Sequence, residues 1–293
     1  MQKGGRSLQG SLLHFRLMSG QICLLYLKKK KMKLGITFIL IFLFTGCNSK
    51  TQEMTKIVFL HHSTGEAIWK GKTNRYVYRL TKRGDVQKYF ASYNRKNKTR
   101  FNIQAINFPK SSPYGWNNYP FDYYNIWVRN AGLKQYLEEP TLEILTSDYD
   151  VIIFKHCFPV SRINPDTGTP DINSDVKSLE NYKLQYEALK KKMHEFPDNK
   201  FIVWTPAANT KLKSNEDEAL RTREFHNWMI NEWDEKGDNI FIWDFYEYET
   251  EGGLYLTDAN AHSPENSHPN VEFASRVAPL FSDFIIGVIK GEK

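Results

Sequence analysis

Short apolar runs recur along the chain, separated by longer stretches with helical spacing. Five runs rich in Ile, Val and Phe are too short for a helix, and each predicts a buried strand: residues 56–61, 101–107, 150–155, 200–205 and 239–244. Continuous apolar strands of this kind are typical of a parallel sheet that is covered on both faces. The pattern therefore predicts an α/β fold around a five-stranded, mostly parallel sheet.

Helices are predicted between these strands and after the last one. Asp85, Ser174 and Asn215 are candidate N-caps, and Asn270 caps the closing helix. Apolar residues at helical spacing are Val176, Leu179, Tyr182, Leu189 and Met193, then Leu220, Phe225, Trp228 and Trp233, and finally Phe273, Val277, Leu280, Phe284 and Val288. Two loops, residues 109–122 and 158–173, exceed the usual connection length, so we expect them to form the walls of a pocket.

The first 46 residues have a different character. A basic run, residues 28–31 and Lys33, precedes an apolar stretch, residues 34–44, that is too short to span a bilayer. The stretch ends in Phe44-Thr45-Gly46-Cys47, which resembles the bacterial lipobox. This resemblance implies a signal peptide over residues 1–46, with residues 1–31 as an upstream mis-start, and lipid on Cys47. The alternative is a short buried helix that happens to precede a cysteine.

If the leader is removed, residues 47–55 form a lipidated tether, and the protein is anchored to a membrane of the bacterial cell envelope. Of the 40 Lys and Arg residues, eight lie in the leader, which leaves 32 basic and 33 acidic residues from Cys47 onward. The sequence pI of about 9.0 therefore reflects the leader, and nucleic acid is not an expected partner. Residues 56–293 have a length that suits one domain.

Cysteine usage excludes an internal disulfide. Cys23 lies in the leader and Cys47 is assigned to lipid, so Cys157 is the remaining thiol. Cys157 is expected to be buried and inert, because no basic helix terminus is evident beside it.

A serine stands where the first predicted strand ends. The run His62-Ser63-Thr64-Gly65 follows that strand directly, so the Ser63 hydroxyl is expected at the carboxyl edge of the sheet. A catalytic nucleophile requires an exposed and fixed position of this kind. The alternative is that Ser63 is an ordinary N-cap of the first helix.

A polar loop, residues 258–270, joins the last strand to the closing helix and contains His268. Glu265 lies three residues earlier and is the candidate acid that would accept from the ring Nδ1–H and turn Nε2 toward a serine. Asp258 or Asn266 could orient the ring instead. A proton-accepting histidine and a strand-end serine at one edge of the sheet predict acyl transfer.

These residues resemble those of the SGNH (GDSL-like) hydrolases, in which an early strand-end serine and a late Asp-x-x-His, often followed by Pro-Asn, form a triad. The resemblance covers Lys56 to the end of the chain, with Pro269-Asn270 completing the last block. It implies a three-layer α/β/α sandwich of the flavodoxin-like type and a serine esterase that needs no cofactor. The implied catalytic residues are Ser63, His268 and Glu265.

Two of the sequence motifs usual in this family are different in this chain. His61-His62 precede the serine in place of Gly-Asp, and Lys155-His156-Cys157 stand where a Gly-x-Asn-Asp block with an oxyanion asparagine is usual. Oxyanion donors are therefore expected from the backbone N–H of Ser63, from Gly115 and from a group near Cys157, with His156 or Asn117 as substitutes.

The location and the family resemblance point to a glycan ester, such as an O-acetyl group, as the substrate. Candidate substrate-binding residues are His62, Trp116, Asn117 and His156. Flat rings that could stack on sugar faces are Trp69, Tyr114, Trp116, Tyr119 and Tyr124. The competing hypotheses are a non-catalytic glycan-binding lipoprotein and an O-acyltransferase that uses the same residues.

A metal site is a further alternative, since several possible ligands are expected near one edge of the sheet: His61, His62, His156, His262, His268 and Asp258. Spacing argues against it, because adjacent residues on a strand point to opposite faces and no His-x-x-x-His pair occurs. No metal is therefore expected, and His61 is interpreted as a packed residue at the end of its strand.

Overall fold

Five strands form a single parallel sheet in the computed structural model, which describes residues 53–293. The strands lie in the order β2-β1-β3-β4-β5. They are β1 (Thr55–His61), β2 (Phe101–Asn107), β3 (Val151–Phe154), β4 (Lys200–Trp204) and β5 (Ile240–Trp243). Each lies within one residue of its predicted bounds, so the predicted α/β fold is confirmed. The leader and Cys47 lie outside the described residues.

Strand residues alternate between two buried layers, which explains why the sequence shows continuous apolar runs. Ile57 and Phe59 of β1 belong to one apolar cluster, whereas Val58 and Leu60 belong to the other. None of these four side chains is exposed to solvent. Because successive strand side chains point to opposite faces, a sheet covered on both sides requires apolar residues at every position.

Helices cover both faces of the sheet, as the three-layer prediction required. They are α1 (Ser63–Lys70), α2 (Arg75–Thr81), α3 (Asp85–Asn97), α4 (Pro120–Tyr124), α5 (Leu142–Asp148), α6 (Leu179–His194), α7 (Glu216–Trp228), α8 (Phe245–Thr250) and α9 (Val271–Lys290). Helices α1, α3 and α9 supply residues to one apolar cluster, and α4 to α7 supply residues to the other. Short π-helical turns extend α4 and α7, and a two-stranded hairpin, β6 (Ala261–Ser263) and β7 (Asn266–Pro269), precedes α9.

Two of the four predicted helix caps are confirmed. Asn215 forms a capping box with Glu218, and the Asn270 side chain accepts from the Phe273 N–H. The other two predictions were wrong by one and four residues, because Gly84 caps α3 and Ser178 caps α6.

Ser174 instead closes a local turn, in which its hydroxyl accepts from the Val176 N–H. A serine hydroxyl can accept from a nearby backbone N–H in a turn as readily as at a helix N-terminus, and the local sequence does not distinguish the two. Val176, Leu220 and Leu280, which were expected among the buried helix positions, are exposed.

The strand order determines where a ligand site can form. The order 2-1-3-4-5 reverses direction at β1, and open parallel sheets bind ligands at the carboxyl ends of the strands beside such a reversal. Ser63 follows β1 directly at this edge. Within residues 53–293, no helix is both long and apolar enough to cross a bilayer.

Candidate active site

Ser63 is the first residue of α1, and its position depends on close packing between that helix and β1. A Cβ added to Gly65 would lie 2.5 Å from His61 Cβ and 3.0 Å from Phe59 Cζ. Gly65 therefore allows the first turn of α1 to approach the strand. The preceding residue, His62, is fixed by a 2.6 Å hydrogen bond between its Nε2 and the Pro109 carbonyl oxygen.

His268 lies on β7, within the hairpin that precedes α9. The buried Ser267 hydroxyl accepts from the Thr210 N–H at 3.0 Å. On the other side, the Asn270 side chain donates to the carbonyl oxygens of Ala259 and Ala261, at 2.7 and 3.1 Å. Ser267 is thus tied to Thr210 outside the hairpin, and Asn270 to the segment around the start of β6, so hydrogen bonds hold the backbone on both sides of His268.

The structure brings Ser63 and His268 together although they are 205 residues apart. Ser63 Oγ and His268 Nε2 are 2.8 Å apart, and on the other side of the ring Nδ1 lies 2.7 Å from Asn266 Oδ1. The same Oδ1 accepts from the His268 backbone N–H at 3.1 Å.

These contacts define the tautomer of the ring. A backbone N–H can only donate, so the Asn266 atom that faces it is the amide oxygen. That oxygen in turn requires a proton on Nδ1. In the neutral ring Nε2 then carries the free lone pair, and it accepts the proton of the Ser63 hydroxyl.

Asn266, rather than Glu265, orients the imidazole. The exposed Glu265 carboxylate accepts from the Ser263 hydroxyl at 3.3 Å, and no hydrogen bond links it to the ring. Asp258 is also exposed and has no hydrogen bond to His268 among residues 53–293. The reason is the hairpin: Asn266 and His268 are two residues apart on β7 and share a face, whereas Glu265 lies in the turn outside the strand.

The surroundings of His268 favour its neutral form. Burial lowers the pKa of the imidazole below its usual value, and the positive charge of Lys155 and the proximity of His262 lower it further. Lys155 is itself buried at the end of β3, where its Nζ donates to the His156 carbonyl oxygen at 2.6 Å. The Phe158 ring packs perpendicular to the imidazole, with ring centroids 5.3 Å apart. The site therefore presents an unprotonated base.

Two of the residues expected to supply oxyanion donors, Gly115 and Cys157, have backbone amides that are already hydrogen-bonded. The Gly115 N–H donates to the Ser111 carbonyl oxygen at 2.6 Å, and the Cys157 N–H donates to the Asn118 carbonyl oxygen at 2.9 Å. By contrast, the Ser63 N–H lies in the first turn of α1 and has no partner within that helix.

Asn107, whose side-chain amide can donate a hydrogen bond, lies beside Ser63 and was not among the predicted site residues. It ends β2, pairs in register with His61, and lines the same cleft as Ser63 with an exposed side chain. The signal was present in the sequence, since Asn107 is the polar residue at the end of the second predicted strand.

Three of the four residues expected to bind substrate lie elsewhere. His156 is buried in the core among the rings of Tyr123, Phe154 and Tyr186, and burial lowers the pKa of its imidazole well below the usual value. Trp116 is 8% exposed and packs against Tyr136, so it cannot stack on a sugar.

Asn117 donates from its side chain to the Gly115 carbonyl oxygen and lines neither cleft beside Ser63. Only His62, of the four, lines a cleft beside the serine.

Two clefts open beside Ser63, with volumes of about 400 and 750 Å³. They share Ser63, Glu66, Tyr78 and Lys82 as lining residues. Their walls come from α1, α2, α3, β2 and the end of β1. Neither of the two long loops expected to form pocket walls contributes a residue.

Possible metal ligands converge at a different place. Among the described residues, one group has ligand atoms within 4.8 Å of one another: His194, Glu235 and Asp238. Asp238 precedes β5, so this group lies at the amino edge of the sheet, away from Ser63. Lys190 donates to Glu235 at 2.8 Å, and the His194 ring lies 2.8 Å from Asp238, so these side chains already have partners.

No family model and no curated protein matches this chain. Among solved structures, it is similar to an active-site mutant of a family two carbohydrate esterase from Clostridium thermocellum in complex with celluohexase, at 14% sequence identity and a TM-score of 0.37, over 79% of this chain and 63% of that chain. It is also similar to a carbohydrate esterase whose active site displays divergent catalytic and non-catalytic binding functions, at 12% identity and a TM-score of 0.35, over 79% and 64%. The chain thus spans less than two thirds of the length of either structure.

Proposed function

We propose that this protein is a serine ester hydrolase that removes O-acyl groups, such as O-acetyl, from a glycan. Ser63 is the nucleophile, His268 is the general base, and Asn266 orients the imidazole. The observation that supports this most directly is the hydrogen-bonded chain from Ser63 Oγ through the ring to Asn266 Oδ1, with distances of 2.8 and 2.7 Å.

The proposed reaction has two steps. As Ser63 Oγ bonds to the ester carbonyl carbon, its proton passes to His268 Nε2; the imidazolium then returns this proton to the departing alkoxide as the ester bond breaks. Water repeats the cycle on the acyl-enzyme, releasing the carboxylic acid and restoring the serine. The lowered pKa of His268 keeps the base unprotonated near neutral pH.

Two groups are proposed to stabilise the oxyanion in this scheme. The Ser63 N–H lies at the positive end of α1, and the Asn107 side chain is exposed in the same cleft. A donor aimed at a developing oxyanion typically lowers the barrier by about 3 kcal/mol. Asn107 would then replace the oxyanion asparagine that is usual after the third strand in SGNH hydrolases, where this chain has Lys155-His156-Cys157.

The cleft lining favours a carbohydrate over a lipid ester. Of the residues around the larger cleft, only Trp69 and Ala105 are apolar, and Trp69 is buried. A fatty acyl chain needs an apolar channel, whereas sugar hydroxyls need hydrogen-bonding side chains such as Gln104 and Asn107.

The test is turnover of p-nitrophenyl acetate and of acetylated xylan, compared between the wild type and Ser63→Ala. We expect release of acetate by the wild type and loss of at least about a thousandfold in kcat in the variant, since removing a nucleophile leaves only residual catalysis. Mass spectrometry after treatment with a fluorophosphonate should find the adduct on the Ser63 peptide. Equal rates in both proteins would contradict the proposal.

A non-catalytic glycan-binding role is the second candidate. It is favoured by the engagement of the Gly115 and Cys157 amides, which removes two expected oxyanion donors. The same comparison separates the two functions, because a binding module retains its affinity for the glycan and shows no hydrolysis that depends on Ser63.

We also propose that Cys47 carries lipid and anchors the protein in the bacterial cell envelope. The proposal rests on the order of basic run, short apolar stretch and Thr45-Gly46-Cys47. Expression with radiolabelled palmitate should label the wild type and not Cys47→Ala, and detergent should be required to extract the labelled protein. Labelling of both proteins would contradict it.

A further inference from the structure

Four basic side chains gather around the proposed nucleophile. Lys70, Arg75, Arg79 and Lys82 all line the smaller cleft beside Ser63, and Lys82 also lines the larger one. The acid among the lining residues is Glu66, which is paired with the Tyr78 hydroxyl; burial and this carboxylate raise the pKa of Tyr78 to about 12. The cleft therefore carries an excess of positive charge.

These cations have no ion-pair partner within the described part of the chain. Arg75 and Arg79 are four residues apart on α2, and Lys82 follows at the end of the same helix. Like charges at this spacing destabilise a helix by a few tenths of a kcal/mol. No residue of α2 is buried, so packing does not explain the arrangement. Lys70 and Arg79 lie in the last turns of their helices and Lys82 lies over the Tyr78 ring, but these surface contacts contribute little to stability.

The positive charge is local. From Cys47 onward the chain has 32 basic and 33 acidic residues, so a basic cleft is not a consequence of overall composition. Clefts lined by one sign of charge attract ligands of the opposite sign, and the planar guanidinium group pairs with carboxylates through two parallel hydrogen bonds.

We propose that the glycan bound beside Ser63 is acidic, with uronate carboxylates that pair with Arg75 and Arg79 of α2. This inference rests on the proposed function and specifies its substrate class. Hydrogen-bonding side chains of the larger cleft contact the hydroxyl groups of the glycan, while Arg75 and Arg79 of α2 contact the carboxylates of its uronate units. The polar and charged side chains that make up most of the lining of both clefts favour this ligand over an anionic lipid, whose acyl chains need a continuous apolar channel.

Binding is measured with Ser63→Ala protein, so that the result does not depend on turnover. The probes are polygalacturonate and an uncharged glucomannan of similar length, compared by affinity gel electrophoresis. Arg75→Gln/Arg79→Gln is introduced into this background. The matched control, Arg83→Gln/Arg95→Gln, makes the same change of charge at exposed positions outside both clefts.

We expect the ratio of polygalacturonate to glucomannan affinity to fall about fivefold to tenfold in the cleft variant, from the loss of two exposed charge pairs, and to change less than about twofold in the control. Raising the salt concentration should reduce this ratio in the parent protein. Equal losses in the two double variants would overturn the proposal, as they would indicate only a general effect of charge.

A lipid ligand is a separate outcome of the same experiment. Loss of binding to phosphatidylglycerol vesicles in the cleft variant, with an unchanged polygalacturonate to glucomannan ratio, would overturn the acidic-glycan proposal in favour of a membrane surface. The proposed function fails differently, through equal turnover of p-nitrophenyl acetate by the wild type and Ser63→Ala, and that result would leave the polyuronate binding data intact.

Discussion

The contact between Asn266 and His268 gives the sharpest test of the candidate active site. Asn266 Oδ1 accepts from the ring Nδ1–H at 2.7 Å and from the backbone N–H of His268 at 3.1 Å. In Asn266→Asp a carboxylate oxygen replaces the amide oxygen, so both hydrogen bonds are retained. The substitution adds a negative charge beside the ring, where positive charge develops during proton transfer.

The expected magnitude follows from these hydrogen bonds. A neutral hydrogen bond contributes about 1 kcal/mol net, and a charge-assisted one is roughly twice as strong. Asn266→Asp should therefore stabilise the imidazolium by about 1 kcal/mol and raise kcat about fivefold at a pH where the ring is neutral. The carboxylate also favours the protonated ring, so the pKa of His268 rises and the acid limb of the rate profile moves to higher pH.

Two further variants complete the series. Asn266→Ala removes the acceptor and the control of the tautomer, and kcat should fall by at least about tenfold. Glu265→Gln is the matched control, because the Glu265 carboxylate is exposed and its one hydrogen bond among residues 53–293 is to Ser263. Its kcat should stay within about twofold of the wild type.

The assay is the pH dependence of kcat/KM for p-nitrophenyl acetate in all four proteins, with circular dichroism to verify folding. Asn266 does not orient the ring if Asn266→Ala keeps the wild-type rate while Glu265→Gln loses at least about tenfold in kcat. That result would restore Glu265 as the group that orients the ring.

Three other changes test the surroundings of the site. Lys155→Met removes a positive charge that lowers the pKa of His268, so the acid limb of kcat/KM should move to higher pH; an unmoved limb would contradict this. Asn107→Ala should lower kcat about a hundredfold if its amide serves the oxyanion, whereas Asn102→Ala, exposed near the start of the same strand, should have little effect. Gly65→Ala places a methyl group 2.5 Å from a β1 side chain and should cost about 1 to 3 kcal/mol, seen as a lower Tm in thermal unfolding; an unchanged Tm would show that α1 can move.

Local patterns in the sequence were sufficient to predict the sheet. Each strand is a short apolar run of β-branched and aromatic residues, and burial on both faces is encoded within each run, so all five strands were predicted within one residue. The caps at Asn215 and Asn270 were equally local, because an N-cap bonds to a backbone N–H only three residues away. Ser63 was recognisable for a similar reason, since it directly follows a strand.

Which side chains meet at the candidate site depends on long-range packing. Spacing along the chain favoured Glu265, but the register of the β6–β7 hairpin places Asn266 on the face of His268 and leaves Glu265 in the turn. Burial of His156 and Trp116, and the basic cleft formed by α1 and α2, likewise depend on how distant elements pack. Periodicity specifies the face of an element that is buried, whereas a hydrogen bond between distant residues depends on register and packing, which a single element does not contain.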